Sequence, residues 1–413
     1  MIRSKKEEAV AIAQEAIRAV LPADAVRREL KKAESSGRVF LVSVGKAGWT
    51  MAKAAVESLE GKIANGVVIT KYHHAEHPLP GVRIFEAGHP IPDSNSFLAT
   101  QAVLDMTQNL SPDDTVLLLL SGGGSALFEK PLISGEELQE ITDQMLCSGA
   151  DIVEINTIRK RLSSVKAGRF AQHCFPAKIY ALVLSDVLGD IPHMIASGPA
   201  VADPTTSEDA IRIVQKYNLH LSDAAWTCIK KETPKRVTNV QMKIIGSVTL
   251  LCQAAANASS QRGYEPILIT DALSEEASTA GRMFGKLLAD HAHTGKKVAF
   301  LAGGETVVHV RGNGTGGRNQ ELALAAAPFL DGLENVCLIS VGSDGTDGPT
   351  DAAGGYVDGK TMQTLGESGG NYEALLANND AYHALQKTNG LVFTGPTGTN
   401  VNDVVIGLVD NGG

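Results

Sequence analysis

Three stretches of this 413-residue chain combine residue types that handle negative charge. The first is Val116 to Ala126, VLLLLSGGGSA, in which five apolar residues run directly into Ser121-Gly122-Gly123-Gly124-Ser125. Glycines allow a tight turn with no Cβ in the way. A strand–glycine–helix junction aims bare backbone N–H groups at one spot, where amides and helix dipole stabilise an anion. This predicts a phosphate or carboxylate pocket, with a helix opening at Ala126; the plain alternative is a turn that binds nothing. The second stretch is Gly45-Lys46-Ala47-Gly48, again after an apolar run, with Lys46 at the carboxyl end of a strand where open α/β sheets place their ligands. The third is Gly312 to Arg318, in which Gly312, Gly314 and Gly317 form GxGxxG, with Gly316 and Asn319 beside them. That pattern is weak on its own. Arg318 opens a helix, where a cation opposes the dipole, so it reads as a residue kept for an anion.

Carboxylates and cations surround these loops in the sequence. Ile179 to Leu184 runs into Ser185-Asp186-Val187-Leu188-Gly189-Asp190, and two carboxylates at a strand's end suit Mg²⁺ or a general base. Asp344, Asp347 and Asp351 share a glycine-rich loop that suits Mg²⁺ or a nucleotide. Arg159, Lys160, Arg161, Lys166 and Arg169 place five cations in eleven residues. They read as a solvated helix face, or as a cationic wall with Arg159 and Lys166 on one helix face. His74-x-x-His77, near His73 and His89, lacks the Cys or Asp partners of a metal site, and His77-Pro78 and His89-Pro90 read as turn starts. Gly354 to Thr361 matches GxxxxGK[ST] but does not follow a buried strand, so it reads as a short strand and turn. Thr397, Thr399 and Asn400 are candidates for lining a cleft.

The elements that must position these residues follow an α/β rhythm. An amphipathic start, Met1 to Leu30, contains a helix over Lys5 to Val20. Strands are predicted at Val39–Val44, Gly66–Thr70, Val116–Leu120 and Ile179–Leu184, with helices at Trp49–Leu59, after Asp93 or Ser94, and at Gly135–Gly149. Pro and polar residues from Thr233 to Asn239 suggest a linker. The rhythm restarts with Ile244–Leu251, a helix near Ala254–Gln261, and strands at Pro266–Thr270, Lys297–Leu301, Val307–Val310 and Val336–Val341. The expected fold is α/β with two domains. Residues 1–240 form a Rossmann-like parallel sheet flanked by helices. Residues 241–413 form a smaller α/β domain, with room for its last residues to pack back on the first. At 43% apolar and 20% charged, the chain has material for large cores and is not disordered. A net charge of −9 argues against a nucleic-acid surface. Five cysteines without CxxC spacing fit reduced thiols. With no signal-like segment and no 18-residue apolar run, the expectation is a soluble cytoplasmic protein, with no membrane partner.

Taken together, LLSGGGSAL, EINTIRKRLSSVKAG, LSDVLGDIPHMIASGP, GGETVVHVRGNGTGGRNQE, SDGTDGPTDAAGG and GPTGTNVNDV resemble the glycerate 2-kinase family with a C-terminal MOFRL domain. The resemblance covers about Val39 to Val409. It implies two α/β domains with the active site in the cleft between them. It also implies transfer of the γ-phosphoryl group of ATP to the 2-hydroxyl of D-glycerate with a divalent metal such as Mg²⁺. By the same resemblance Lys46, Asp186 and Arg318 form the catalytic set. Ser121 to Ser125, Asn156, Arg159, Lys166, Gly314, Gly316, Gly317 and Asn319 bind substrate or phosphate, and Asp190 and Asp344 hold the metal. The chain departs from the family's common pattern at Arg161, Ala167, Leu188 and Ser343. Those positions touch substrate orientation, not reaction class.

Phosphoryl transfer needs positioning and charge neutralisation more than covalent help. In this reading Lys46 and Arg318, from opposite domains, neutralise the transferring group while Asp186 orients or deprotonates the hydroxyl, in a monomer or homodimer. One rival is an NAD(P)-dependent hydroxypyruvate reductase. Against it, the acid expected about 20 residues past the first glycine should end a strand, whereas Asp331-Gly332 falls in a predicted turn. The other rival is an anion sensor without turnover.

Overall fold

The computed structural model describes residues 4–31 and 37–410. Pro22–Ile245 forms one compact unit, and the residues up to Leu21 together with those from Gly246 onward form another. A first domain running over 1–240 therefore needs correcting at the start of the chain. The amphipathic start is two helices, Lys5–Ala19 and Pro22–Leu30. Pro22 suits the first position of a new helix, where its missing N–H is not needed. Ala9, Ile12, Ala16 and Ile17 of the first helix are buried in a core with Leu251, Ala255, Ile339 and Ile406. Lys5 pairs with Asp410 at 2.7 Å and Arg262 with Glu15 at 2.6 Å, both within the second unit.

In the first unit β1 (Val39–Val44), β2 (Ile63–Lys71), β3 (Val82–Ala87), β4 (Thr115–Leu120), β5 (Lys178–Leu184) and β6 (Val240–Gly246) make a sheet of order β3-β2-β1-β4-β5-β6. The pairs linking β1 through β5 are all parallel. The unbroken apolar run of β4 is the sequence of a strand covered on both faces. One face packs against Ala99 and Val103, and the other against Trp49, Ala52 and Ala55. β3 escapes a search for apolar runs because it is an edge strand, VRIFEA, that carries charges. The run at Ile244–Leu251 is the end of β6 followed by helix Val248–Ser260, because Ser247 caps that helix by accepting from the Leu250 N–H. Helices Gly135–Cys147, Ile152–Arg161, Ser207–Lys216 and Asp223–Lys230 build a separate small core.

In the second unit β7 (Glu265–Leu273), β8 (Lys297–Gly304), β9 (Val336–Gly342), β10 (Gly354–Asp358), β11 (Leu391–Val392) and β12 (Asp403–Asp410) follow the order β11-β10-β9-β12-β8-β7. Only β7 and β8 pair in parallel; the other pairings are antiparallel. The last strand lies inside this sheet, between β9 and β8. Val307–Val310 is not a strand; Val307 makes an isolated bridge to Glu276. Gly354–Thr361 is not a phosphate loop. β10 runs antiparallel to β9, and the Lys360 N–H donates to Asp358 Oδ1 at 3.0 Å, so the chain's own carboxylate takes that turn. Among the described residues no helix is long and apolar enough to cross a membrane.

Helix Arg318–Leu330 is the most buried helix of this unit's core and packs against helix Ala277–His291. A Cβ on Gly281 would lie 2.1 Å from the Leu322 carbonyl oxygen, so the approach requires glycine. No side chain at Gly317 caps the helix. Asp347 supplies the cap from another loop, accepting from the Asn319 N–H at 3.1 Å and the Gln320 N–H at 2.8 Å. Burial pushes the Asp347 carboxyl up to about 6, against the pull of those amides. A carboxyl raised in the folded state contributes stability that is complete below its unfolded pKa and is lost as pH rises through the folded one. Urea unfolding of wild type and Asp347→Asn at several pH values should show it. The wild type loses ground against the variant as pH rises from about 4 to about 6, and a constant difference would contradict the assignment.

Candidate active site

The strand order reverses direction between β1 and β4, and in open α/β sheets ligands bind outside the carboxyl ends of the strands at that point. Both leading glycine loops stand there, since Gly45-Lys46 follows β1 and Ser121 to Ser125 follows β4. They are joined to each other. The Ser121 N–H donates to the Val44 carbonyl at 2.9 Å, the Lys46 N–H to the Gly122 carbonyl at 2.8 Å, and the Ala47 N–H to Ser121 Oγ at 3.1 Å. Ser121 is therefore a buried stitch between loops and not a ligand-facing hydroxyl. The helix expected from Ala126 is a single turn, Gly124–Leu127. Its dipole is small, so any anion held here is held by amides. The N–H groups of the half-buried Gly122 and Gly123 donate to nothing among the described residues.

Lys46 is half-buried, and its ammonium has no hydrogen-bond or ion-pair partner among the described residues. His74 Nδ1 lies 3.0 Å from the Lys46 carbonyl oxygen. His89 packs beside the loop: a Cβ on Gly123 would lie 2.9 Å from its Cδ2 and 3.5 Å from Lys46 Cγ. Burial, then the charge of Lys46, lowers His89 to about 4, so the ring is neutral at pH 7 and adds no charge to the site. Asp186 stands over the same loop, with its Oδ2 placed 2.5 Å from where a Gly122 Cβ would be. Lys46, Gly122, Gly123 and Asp186 are thus brought together.

The five-cation stretch is neither a solvated face nor a cationic wall. Helix Ile152–Arg161 ends before Lys166, so Arg159 and Lys166 do not share a helix face. Lys166 is fully buried, 2.8 Å from Glu129 and donating to the Phe128 carbonyl at 3.0 Å. Burial lowers its ammonium to about 8, with Glu129 opposing. Lys160 pairs with buried Asp203 at 3.4 Å, Arg161 donates to the Lys231 and Thr205 carbonyls, and Arg169 to those of Lys160 and Ser163. Arg159 alone of the five turns to the glycine loop, where Nη2 donates to the Ser125 carbonyl at 3.2 Å while its buried Nε has no partner. Beside it, Ser197 Oγ donates to Asn156 Oδ1 at 3.0 Å and lies 3.0 Å from Ser125 Oγ. Ser197 was not singled out from sequence. The signal is backbone strain, because buried Ala196 and Ser197 have φ of 49° and 59°, a left-handed pair without glycine.

In the second unit the GxGxxG segment is not a phosphate cradle. The Gly312 N–H donates to Asn379 Oδ1 at 3.1 Å, that of Asn313 to Asn378 Oδ1 at 3.0 Å, that of Gly314 to the Asn378 carbonyl at 2.9 Å, and that of Thr315 to Asp380 Oδ1 at 3.0 Å. Gly316 packs on Ala381, and Gly317 admits Asp347, whose Cγ would lie 2.3 Å from a Cβ there. Asn319 is equally committed, accepting from Ser340 Oγ at 2.6 Å and lying against Asp347. Arg318 does not wait unpaired for an anion. Its Nε and Nη2 bond Asp403 at 2.6 and 3.0 Å, and Nη1 bonds Glu305 at 2.8 Å. Burial would lower the guanidinium's pKa, but the bonds and charge of Asp403, then Glu305, raise it. Burial raises the Asp403 carboxyl, outweighing the bonds and charge of Arg318 that pull it down. Facing a guanidinium that keeps its proton, the two-pronged pair is ionic.

No group of three or more His, Cys, Asp or Glu among the described residues is arranged to hold a metal ion. Asp190 keeps a buried Oδ1 with no partner, while Asp344 Oδ1 accepts from the Thr346 N–H at 3.0 Å.

Residues 8–230 match a domain of unknown function, DUF4147, and residues 298–403 match the MOFRL family. The D-glycerate 2-kinase of Thermotoga maritima is 52% identical over 98% of this chain and 99% of its own length. The glycerate 2-kinase of Pyrococcus horikoshii is 41% identical over 92% of this chain and 89% of its own. The crystal structure of the Thermotoga maritima glycerate kinase superposes with a TM-score of 0.95 over 98% of this chain and 99% of that one. The chain therefore belongs to the glycerate 2-kinase family.

Proposed function

We propose that the protein transfers the γ-phosphoryl group of ATP to the 2-hydroxyl of D-glycerate, giving 2-phosphoglycerate and ADP. The observation that carries this reading is Lys46. It is a cation with no partner among the described residues, held at the strand switch point beside open Gly122 and Gly123 amides and the Asp186 carboxylate. Oxygen-rich anions are what such a constellation attracts. The Thermotoga maritima and Pyrococcus horikoshii relatives are both named for phosphorylating glycerate.

The residues divide the work as follows. Lys46 neutralises charge on the transferring phosphoryl group, and the Gly122 and Gly123 amides hold its oxygens. Asp186 orients the 2-hydroxyl and accepts its proton as the new O–P bond forms and the bond to ADP breaks. Arg159, with its unpartnered Nε, takes the glycerate carboxylate, steadied by the Asn156–Ser197–Ser125 hydroxyl chain. Arg318 serves the same transfer from its carboxylate-held position. Mg²⁺ fits Asp190, whose orphaned oxygen is a hard acceptor; Mg²⁺ commonly binds one or two carboxylates and completes its shell with phosphates and water. When bound, it offsets phosphate charge. Asp344 is the second carboxylate proposed for it. The five free thiols suit a reducing compartment such as the cytoplasm. A nicotinamide reading lacks its cradle, because four consecutive amides of the GxGxxG segment are already bonded to Asn378, Asn379 and Asp380.

Phosphorus NMR of a reaction with D-glycerate and Mg-ATP should show ADP and a phosphate ester on C2. An ester on C3, or NADH-dependent loss of hydroxypyruvate without ADP, would overturn the assignment. Lys46→Ala should keep its fold and lose roughly 10³-fold in kcat; a near-normal rate removes its role. Arg159→Lys keeps the charge but not the fork, and KM for glycerate should rise about tenfold or more while KM for ATP holds.

A further inference from the structure

We infer that Asp403 is the positioning residue for Arg318, holding the guanidinium in one orientation before any ligand arrives. The inference rests on the reading that Arg318 serves phosphoryl transfer. Asp403 is the first residue of β12, the strand at the middle of the second sheet. Its register partners on either side are Gly304 of β8 and Gly342 of β9. A Cβ on Gly342 would lie 3.5 Å from Asp403 Oδ1, so the neighbouring strands end in residues without side chains where the carboxylate stands. The carboxylate is 7% exposed. Both its oxygens meet Arg318, Oδ2 at Nε and Oδ1 at Nη2.

A two-point contact fixes the plane of a guanidinium as well as its location. The remaining partner, Glu305, is half-exposed and meets only Nη1. Asp403 is therefore the rigid anchor and Glu305 the mobile contact. An arginine on a flexible stem would lose rotamer freedom on meeting a phosphoryl group. One already clamped by a central strand does not pay that cost at the moment of reaction. The outward N–H groups of Nη1 and Nη2 are the ones left to meet ligand oxygens.

The test is a double-mutant cycle on the full chain, with thermal melts confirming each fold. Asp403→Asn should lower kcat roughly 10²-fold, the penalty for a misplaced group, with KM for glycerate near normal. In an Arg318→Ala background the same change should cost nothing further, since it acts through the arginine. Guanidinium chloride at low millimolar concentration should partly restore kcat to Arg318→Ala, where urea does not. That rescue should vanish in Arg318→Ala/Asp403→Asn. Near-normal turnover in Asp403→Asn, additive losses in the cycle, or equal rescue with and without Asp403 would each overturn the positioning role. Near-normal turnover in Arg318→Ala would instead overturn the reading beneath it.

Discussion

The first unit depends on one close crossing, where the chain leaving β1 meets the chain leaving β4. Four hydrogen bonds close it, and Ser121 takes part in three of them. The crossing leaves no room for side chains: a Cβ on Gly45 would sit 2.1 Å from Ser121 Oγ, and one on Gly122 2.5 Å from Asp186 Oδ2. Glycine is therefore required where protein meets protein. Amide groups open to a ligand are a consequence, since a backbone folded this tightly turns the Gly122 and Gly123 N–H groups outward. Lys46 joins the knot through its backbone N–H, and its side chain takes no part in the four bonds.

Charge is distributed by a second constraint, the cost of burying an ion without a partner. Lys160 and Lys166 are buried with carboxylates distant in sequence, Asp203 and Glu129, while Arg161 and Arg169 satisfy carbonyls. These cations organise the loops behind the site. They leave the field in front to Lys46 and Arg159, and the neutral His89 does not crowd it. An acidic protein can thus present a local attraction for anions with very few exposed positive groups.

Much of the first unit was legible from sequence because its central strands are buried on both faces and so are written as unbroken apolar runs. The places of Lys46 and Asp186 just past strand ends were legible because such runs stop there. Edge strand β3 was hidden by its charges, and the left-handed pair Ala196-Ser197 is visible only in the backbone. The second unit was less transparent. Its strands are mostly antiparallel, and its site residues find partners across long separations, 85 residues between Arg318 and Asp403 and 28 between Asn319 and Asp347. A one-dimensional reading sees a cation or a glycine loop but not the partner that already occupies it.

Arg318 shows how that limit changes an argument. A cation at a helix N-terminus opposes the dipole, and from sequence the simplest relief is an external anion. In the fold three internal anions supply the relief in two different ways. Asp347 takes the helix amides, and Asp403 with Glu305 takes the guanidinium. The dipole is therefore satisfied without a ligand, and it no longer counts as a reason to expect one. What remains in favour of a role in transfer is geometry: a guanidinium one-third exposed, clamped from behind by a nearly buried carboxylate and from the side by a half-exposed one. Full burial would have made the pair purely structural, and full exposure would have left it unoriented. The intermediate arrangement is the one that keeps a fixed positive edge exposed.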